Sequence, residues 1–407
     1  MAKKKTPQEL IDQLTNPVWN PAIPDYKALY PDFSNIARIL DVSENTRKIM
    51  EAMTSSSTLI DLQKTLKQTK EISLASEYVV NKKDRSVDIK DVNKDFKEGK
   101  LVLVLGAGVS MTYGLPNWQL LLQKLMVTTL NKKENSSLIA ELFSFIFSPN
   151  PLIAGRYLQK YYDENEILFE EEVRKILYKE IDSMKESKLM DEIVKFCIAA
   201  GKSPNLNSII TYNFDDLLEQ NIDKLKMDLP YKSIFGNGQE ILPSDLPIYH
   251  VHGYLPHKGD LTELNRITFG ENFYHQQYGD TYSWNNIVQI NKFREFNCLF
   301  IGTSLTDPNT RRLLDIANEQ RFERNGSHYL IKSRYNREYI IKGLTKWIKE
   351  NDKEAIKEEQ FDEFVQNLTD LIEVFEENDL LSLGIKTIWI DSYDEIPTIL
   401  SNIRIQK

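Results

Sequence analysis

The chain has only two cysteines, Cys197 and Cys298, among its 407 residues. Two thiols cannot build a disulfide framework or a zinc site made of cysteines. Histidine is scarce as well, with 5 in all, and only His250 and His252 stand close together. No third ligand accompanies that pair, so no metal is expected. Long apolar runs are missing. The longest, such as Leu101 to Val109, fall far short of the roughly 20 residues a membrane helix needs. The opening MAKKKTPQEL carries lysines with no apolar stretch behind them, unlike a secretory leader. No membrane association and a reducing cytoplasm are therefore expected. Positive charge is not in excess: Lys and Arg number 51 against 60 Asp and Glu, a net charge of -9. That balance argues against a protein that grips a nucleic-acid backbone.

What is present is a globular composition, 41% hydrophobic and 27% charged, with 19 tyrosines and 18 phenylalanines. The length has room for two or three modules and a sizeable core. The chain is organised around LVLVLGAGVSMTYGLPNW, Leu101 to Trp118. Five apolar residues in a row read as a strand buried on both faces, hence central in a parallel sheet. Gly106 and Gly108 follow and permit a sharp turn and a close approach to a pyrophosphate. Met111 occupies the place of the third glycine of a dinucleotide fingerprint, so this loop alone carries little.

Residues 1–90 read as a helical extension, with a first helix capped by Thr6 and closed by Glu9. It is either a packed accessory module or an arm for assembly. Asp88 to Gly99 forms a short helix before the key strand, and about 119–205 is a helical insertion that covers one end of the sheet or acts as a lid. Strands follow at Asn207 to Thr211, Ile248 to Gly253, Arg266 to Phe269, Asn297 to Gly302, SHYLIKS and Lys386 to Ile390, alternating with helices. The expected fold is α/β, a Rossmann-like doubly wound parallel sheet.

Four strand-end segments, GAGVS, TYNFD, HVHG and GTSLTDPN, carry glycines and polar side chains. In a parallel sheet such loops share the carboxyl edge and converge on one cleft. Each has a plain alternative: Gly253 and Gly302 as turns, Asn213 or Asp215 as helix caps, His252 as a satisfied core histidine. His250 and His252, two apart in a strand, are expected on the same face, with His250 a step deeper in the sheet.

GAGVS followed by GLP, then TYNFD, then HG closing a strand, then GTS, resembles the motif order of the sirtuin (silent information regulator two) superfamily over residues 100–335. The resemblance implies a catalytic domain at 91–407 that binds NAD and cleaves its nicotinamide-ribosyl bond. Carried onto this chain, it implies Asn213 and His252 as the catalytic pair. It implies Gly106, Ala107, Gly108 and Ser110, with Gly302, Thr303 and Ser304 across the crevice, as contacts to pyrophosphate and ribose, and Asp215 near the nicotinamide carboxamide. Asp307 and Asn309 either bind ribose hydroxyls or cap a helix. The four-cysteine zinc module of the deacylase branch is absent, and Asn117, Trp118 and Gln119 replace the usual residues after the proline. The wording is closer to the bacterial sirtuin-like NADases of antiphage defence. That branch implies an NAD hydrolase without zinc, a homo-oligomer, and a possible HerA-type hexameric ATPase partner. The alternatives are a binding subunit for NAD or ADP-ribose without turnover, and a deacylase or ADP-ribosyltransferase. Preference between NAD and NADP is open.

Overall fold

The structure is a computed structural model that describes residues 85–129, 151–182, 185–198, 206–227, 229–270, 279–280, 282–321, 328–350 and 358–405. Most of the expected N-terminal extension lies outside the described residues. Of residues 1–90, only Arg85 onward is described, and it belongs to helix α1 (Arg85–Lys97), which ends at Gly99 in a left-handed conformation (φ 68°).

Strand β1 (Leu101–Leu105) is buried along its whole length. Its leucines, Leu101, Leu103 and Leu105, enter one hydrophobic cluster, while Val102 and Val104 enter another on the opposite face. This is the physical meaning of an apolar run without alternation: both faces of the strand are covered. The remaining strands are β2 (Leu206–Thr211), β3 (Tyr231–Ile234), β4 (Leu246–His250), β5 (Asn297–Ile301), β6 (His328–Ser333) and β7 (Ile385–Ile390). They form one sheet in the order β3-β4-β2-β1-β5-β6-β7, and every pair is parallel. The doubly wound parallel sheet expected from the sequence is borne out.

Helices cover both faces. On the leucine side of β1 lie α1, α2 (Trp118–Thr129), α4 (Phe169–Leu177), α5 (Lys188–Cys197), α6 (Leu217–Asp223) and α11 (Ile396–Ile405). On the valine side lie α7 (Trp284–Glu295) and α8 (Pro308–Glu319), which contribute Phe293, Leu313, Leu314 and Ala317. Helix α3 (Pro151–Glu164) packs beside α2, so the described part of the insertion at 119–205 is helical.

Residues Tyr335–Phe375 fall in a second compact unit, distinct from the one that holds the sheet. It contains α9 (Arg337–Glu350) and much of α10 (Glu358–Ser382), with Ile340, Leu344, Phe364 and Val365 as a small core of their own.

Two expectations about strands are corrected. Arg266 to Phe269 is not a strand: Ile267 and Phe269 are buried, but the segment crosses over Gly253, and Thr268 donates its N–H to the His252 carbonyl at 2.7 Å instead of joining a ladder. The strand expected to run to Gly253 stops at His250. Val251 and His252 form a turn closed by Gly253, whose φ of 108° no side chain would adopt comfortably.

From β1 the chain steps to β2, then to β3 at the edge, comes back to β4 between them, and returns to the other side of β1 for β5. The order therefore reverses between β1 and β5, the place where open α/β sheets bind ligands. Register aligns the strand ends, since Leu105 pairs with Thr211 and with Ile301, and Thr211 pairs with His250. The next residues along that edge are Gly106, Tyr212, Val251 and Gly302. The four motif loops thus emerge side by side.

Candidate active site

The loops after β1 and β5 meet backbone to backbone. A Cβ on Gly106 would stand 2.5 Å from the Gly302 carbonyl oxygen, and one on Gly108 would stand 2.8 Å from the Gly302 Cα. Gly302 has φ 69°, and Leu305 also adopts a left-handed φ of 52°, rare for a leucine and a sign of a constrained loop. Gly106 donates its N–H to Ile301 O at 3.0 Å and Gly108 donates to Gly302 O at 2.9 Å. The glycines are therefore required first by the packing of the two loops, and their N–H groups are engaged within the protein. Ala107, between them, is exposed.

Asn213 lies where β2 gives way to α6. Its Nδ2 donates to Gly106 O and to Ser110 Oγ, each at 3.0 Å. The Gly106 carbonyl can only accept, so the amide nitrogen must be the atom that faces it. Both amide hydrogens are thereby engaged, and Oδ1 is the atom left to meet a ligand. Ser110, buried, donates its hydroxyl to Asp215 Oδ1 at 3.1 Å, and the same carboxylate oxygen accepts the Leu217 N–H at 3.1 Å. Burial pushes the Asp215 carboxyl up to about 6, opposed by the hydrogen bonds from Ser110 and Leu217. Asp215 thus both caps the start of α6 and stands behind Asn213 through Ser110.

His252, in the turn after β4, has its ring edge-on to Tyr212 with centroids 4.7 Å apart. Its Nε2 is 3.8 Å from Asp307 Oδ2. Burial lowers the pKa of the imidazole and the Asp307 charge works against that shift, so the ring is neutral near pH 7 and able to accept a proton. Asp307 meanwhile caps α8, accepting from the N–H groups of Asn309 and Thr310 at 2.7 and 3.0 Å. Asn309 is buried and its amide meets Asn286 Oδ1 at 3.3 Å, which places it in the protein's own network.

Across the crevice, Thr303 Oγ1 accepts the Leu305 N–H at 3.3 Å, and the exposed Ser304 shares a hydrogen bond with Thr306 at 2.8 Å. Asn213, His252, Asp215, Ser110 and the three glycines are therefore gathered at one edge.

His250 does not share a face with His252, because the strand ends between them. It points to Glu219 of α6, Nε2 to Oε1 at 2.7 Å, and not toward Asp307. Among the described residues no group of three or more His, Cys, Asp or Glu side chains could hold a metal ion.

Some participants were not singled out in the sequence. Tyr178, just past α4 in the insertion, donates its hydroxyl toward Asp216 Oδ1 and Leu255 O, both at 2.8 Å, and stacks on His257. Thr112 reaches Ser187 Oγ at 3.2 Å, and Asp182 N–H donates to Tyr113 O at 3.1 Å. The insertion is thus fastened to the loops after β1, β2 and β4. The aspartate pair Asp215-Asp216 was the available signal, since a second buried carboxylate beside the first requires a donor from elsewhere.

Residues 207–365 match the model of a SIR2-like domain. Over 323 residues the chain is 24% identical to the NAD(+) hydrolase ThsA of Enterococcus faecium, an alignment that covers 79% of this chain and 58% of that protein. The chain thus spans little more than half the length of that relative. The SIR2-like match bears out the sirtuin-like reading of the motifs, although it begins at the second strand, after GAGVS.

Proposed function

From the SIR2-like match and the cleft it partly spans, we propose that the chain is an NAD+ hydrolase that converts NAD+ and water to nicotinamide, ADP-ribose and a proton. The observation that carries this is the pairing of an asparagine whose amide hydrogens are held by the protein with a histidine kept neutral by burial, on the adjacent ends of β2 and β4 along the same sheet edge as the switch point between β1 and β5.

Nicotinamide in NAD+ is a cationic pyridinium and departs with the bonding electrons without needing a proton. The protein must hold the ribose while positive charge develops on its anomeric carbon and must present a nucleophile to that carbon. Asn213 Oδ1 accepts a hydrogen bond from a ribose hydroxyl or from the attacking water. His252 takes the proton that the water loses as the new C–O bond forms. Asp307, at 3.8 Å from the ring, stabilises the imidazolium so produced. Ala107, with Thr303 and Ser304, lines the path for the pyrophosphate, while Gly106, Gly108 and Gly302 allow the two loops to approach.

A role in bacterial antiphage defence, by depletion of NAD, follows from the likeness to the motifs of that branch. Self-association and pairing with a HerA-type ATPase are part of the same proposal. Neither a transferase nor a deacylase is favoured by any contact in the cleft.

The test is to quantify nicotinamide and ADP-ribose from NAD+ with the purified chain, with and without an acyl-lysine peptide. Equal release of both products, indifferent to the peptide and lost in His252→Ala, is expected. Release that requires the peptide would establish a deacylase, and binding of NAD+ with no release, alone or with an added ATPase partner, would establish a binding subunit.

A further inference from the structure

His250 is almost wholly buried, at 1% exposure, and both of its ring nitrogens face acceptors. Nε2 is 2.7 Å from Glu219 Oε1, and Nδ1 is 3.3 Å from the backbone carbonyl of Asn213. A carbonyl has no proton to give, so Nδ1 must carry the hydrogen. An ionised carboxylate at Nε2 has none either, and the ring that satisfies both contacts is the doubly protonated imidazolium. Glu219 Oε1 accepts a second hydrogen bond from Ser233 Oγ at 2.7 Å, whereas its Oε2 is buried with no hydrogen-bond partner among the described residues. A carboxylate in that position depends on the adjacent cation for compensation. The Tyr254 ring, its centroid 4.3 Å from that of His250, adds a π-system beside the charge.

The titratable neighbours favour the same state. Tyr254 lies in the segment after β4 and Tyr231 on β3, while Asp215 opens α6 and Cys197 ends α5, all within electrostatic reach of Glu219. Every one of them is an acid. Burial alone would push the Glu219 carboxyl up, but the His250 charge and the hydrogen bonds from His250 and Ser233 bring it below its ordinary value.

We infer that His250 and Glu219 form a buried imidazolium–carboxylate pair that fixes the backbone of Asn213 from behind, making His250 a positioning residue for the amide that faces the cleft. Asn213 is then held at both ends, its carbonyl by His250 Nδ1 and its side chain by Gly106 O and Ser110 Oγ. The consequence of the pair for turnover rests on the NAD-hydrolase reading, while its charge state does not.

The experiment uses the full chain labelled with 15N-histidine and with 13C at the asparagine carbonyls. His250→Phe assigns the His250 signals. At about pH 7 both His250 ring nitrogens are expected to carry a proton. The Asn213 carbonyl shift is expected to move in His250→Phe, which has no ring N–H to donate to it. In Glu219→Gln the ring is expected to be neutral with Nδ1–H retained, because the amide now donates to Nε2. A His250 that is neutral in the wild-type chain, or an Asn213 carbonyl shift unchanged in His250→Phe, would overturn the inference.

On turnover, Glu219→Ala is expected to lower kcat for nicotinamide release about 10- to 100-fold with KM changed less than about 3-fold. Glu219→Gln is expected to recover most of that loss. Unchanged kcat in a folded Glu219→Ala would also overturn it. A wild-type chain that releases no nicotinamide would sink the hydrolase reading instead, leaving the ion pair and its hold on Asn213 to be decided by the resonances.

Discussion

Asn213 enters the cleft with its amide orientation already decided, because Gly106 O and Ser110 Oγ take both of its hydrogens. The cost lies one residue further back, where Ser110 leans on a buried Asp215 whose carboxyl is pushed up to about 6. For an acid whose folded pKa lies above its unfolded value, the folded state binds more protons between the two. The associated stability is present below about pH 4 and is lost as pH rises through about 6. Asp215→Asn removes that loss while keeping an acceptor for Ser110. It is therefore expected to stabilise the fold above about pH 6, by on the order of 2 kcal/mol, and to have little effect near pH 4. Scanning calorimetry at the two pH values checks this, and an equal effect at both would contradict it. Asp307 answers to a similar test. Its carboxylate opposes the burial that lowers the His252 pKa, so Asp307→Ala should move the acid limb of the rate profile to lower pH, not higher, and should cost about 1 kcal/mol through the lost cap on α8.

At the scale of elements, the site is made by two loops that touch. Gly302→Ala would place a Cβ 2.8 Å from Val109 N at a residue with φ 69°, so backbone strain and a clash coincide. The expected loss is about 2 kcal/mol or more of stability, together with nicotinamide release, and denaturant unfolding beside the rate assay checks both. The strands that carry the site could be read in the chain, since LVLVL and NCLFI are apolar without alternation and only the middle of a parallel sheet buries both faces. Asn213 and His252 were visible for a related reason, as polar residues set immediately after such runs. What could not be read depends on contacts distant in sequence. β3 is a short edge strand, Tyr231–Ile234, with a lysine in it and nothing to mark it apart from a loop. The end of β4 at His250 is set by Thr268 N–H reaching the His252 carbonyl and by the close pass of Arg266 over Gly253. Glu219, in the run DDLLEQ, reads as a solvated helix charge, yet α6 packs it beside β3 and β4, where Ser233 and His250 bind it.

For the whole molecule, the sheet places its two halves on either side of the crevice between β1 and β5, and the helical insertion is fastened to that edge through Tyr178, Asp182 and Ser187. We propose that this insertion governs access to the cleft. Tyr178→Phe removes the hydroxyl that bridges Asp216 and Leu255 O, and is expected to change KM for NAD+ more than kcat, as steady-state kinetics would reveal. The most direct measurement follows nicotinamide release from NAD+ by the wild-type chain and by Asn213→Ala, with NAD+ binding to both determined by calorimetry. Steady release by the wild-type chain and none by an Asn213→Ala that still binds NAD+ is the result expected of the cleft described here. Undiminished release by Asn213→Ala would place the chemistry elsewhere.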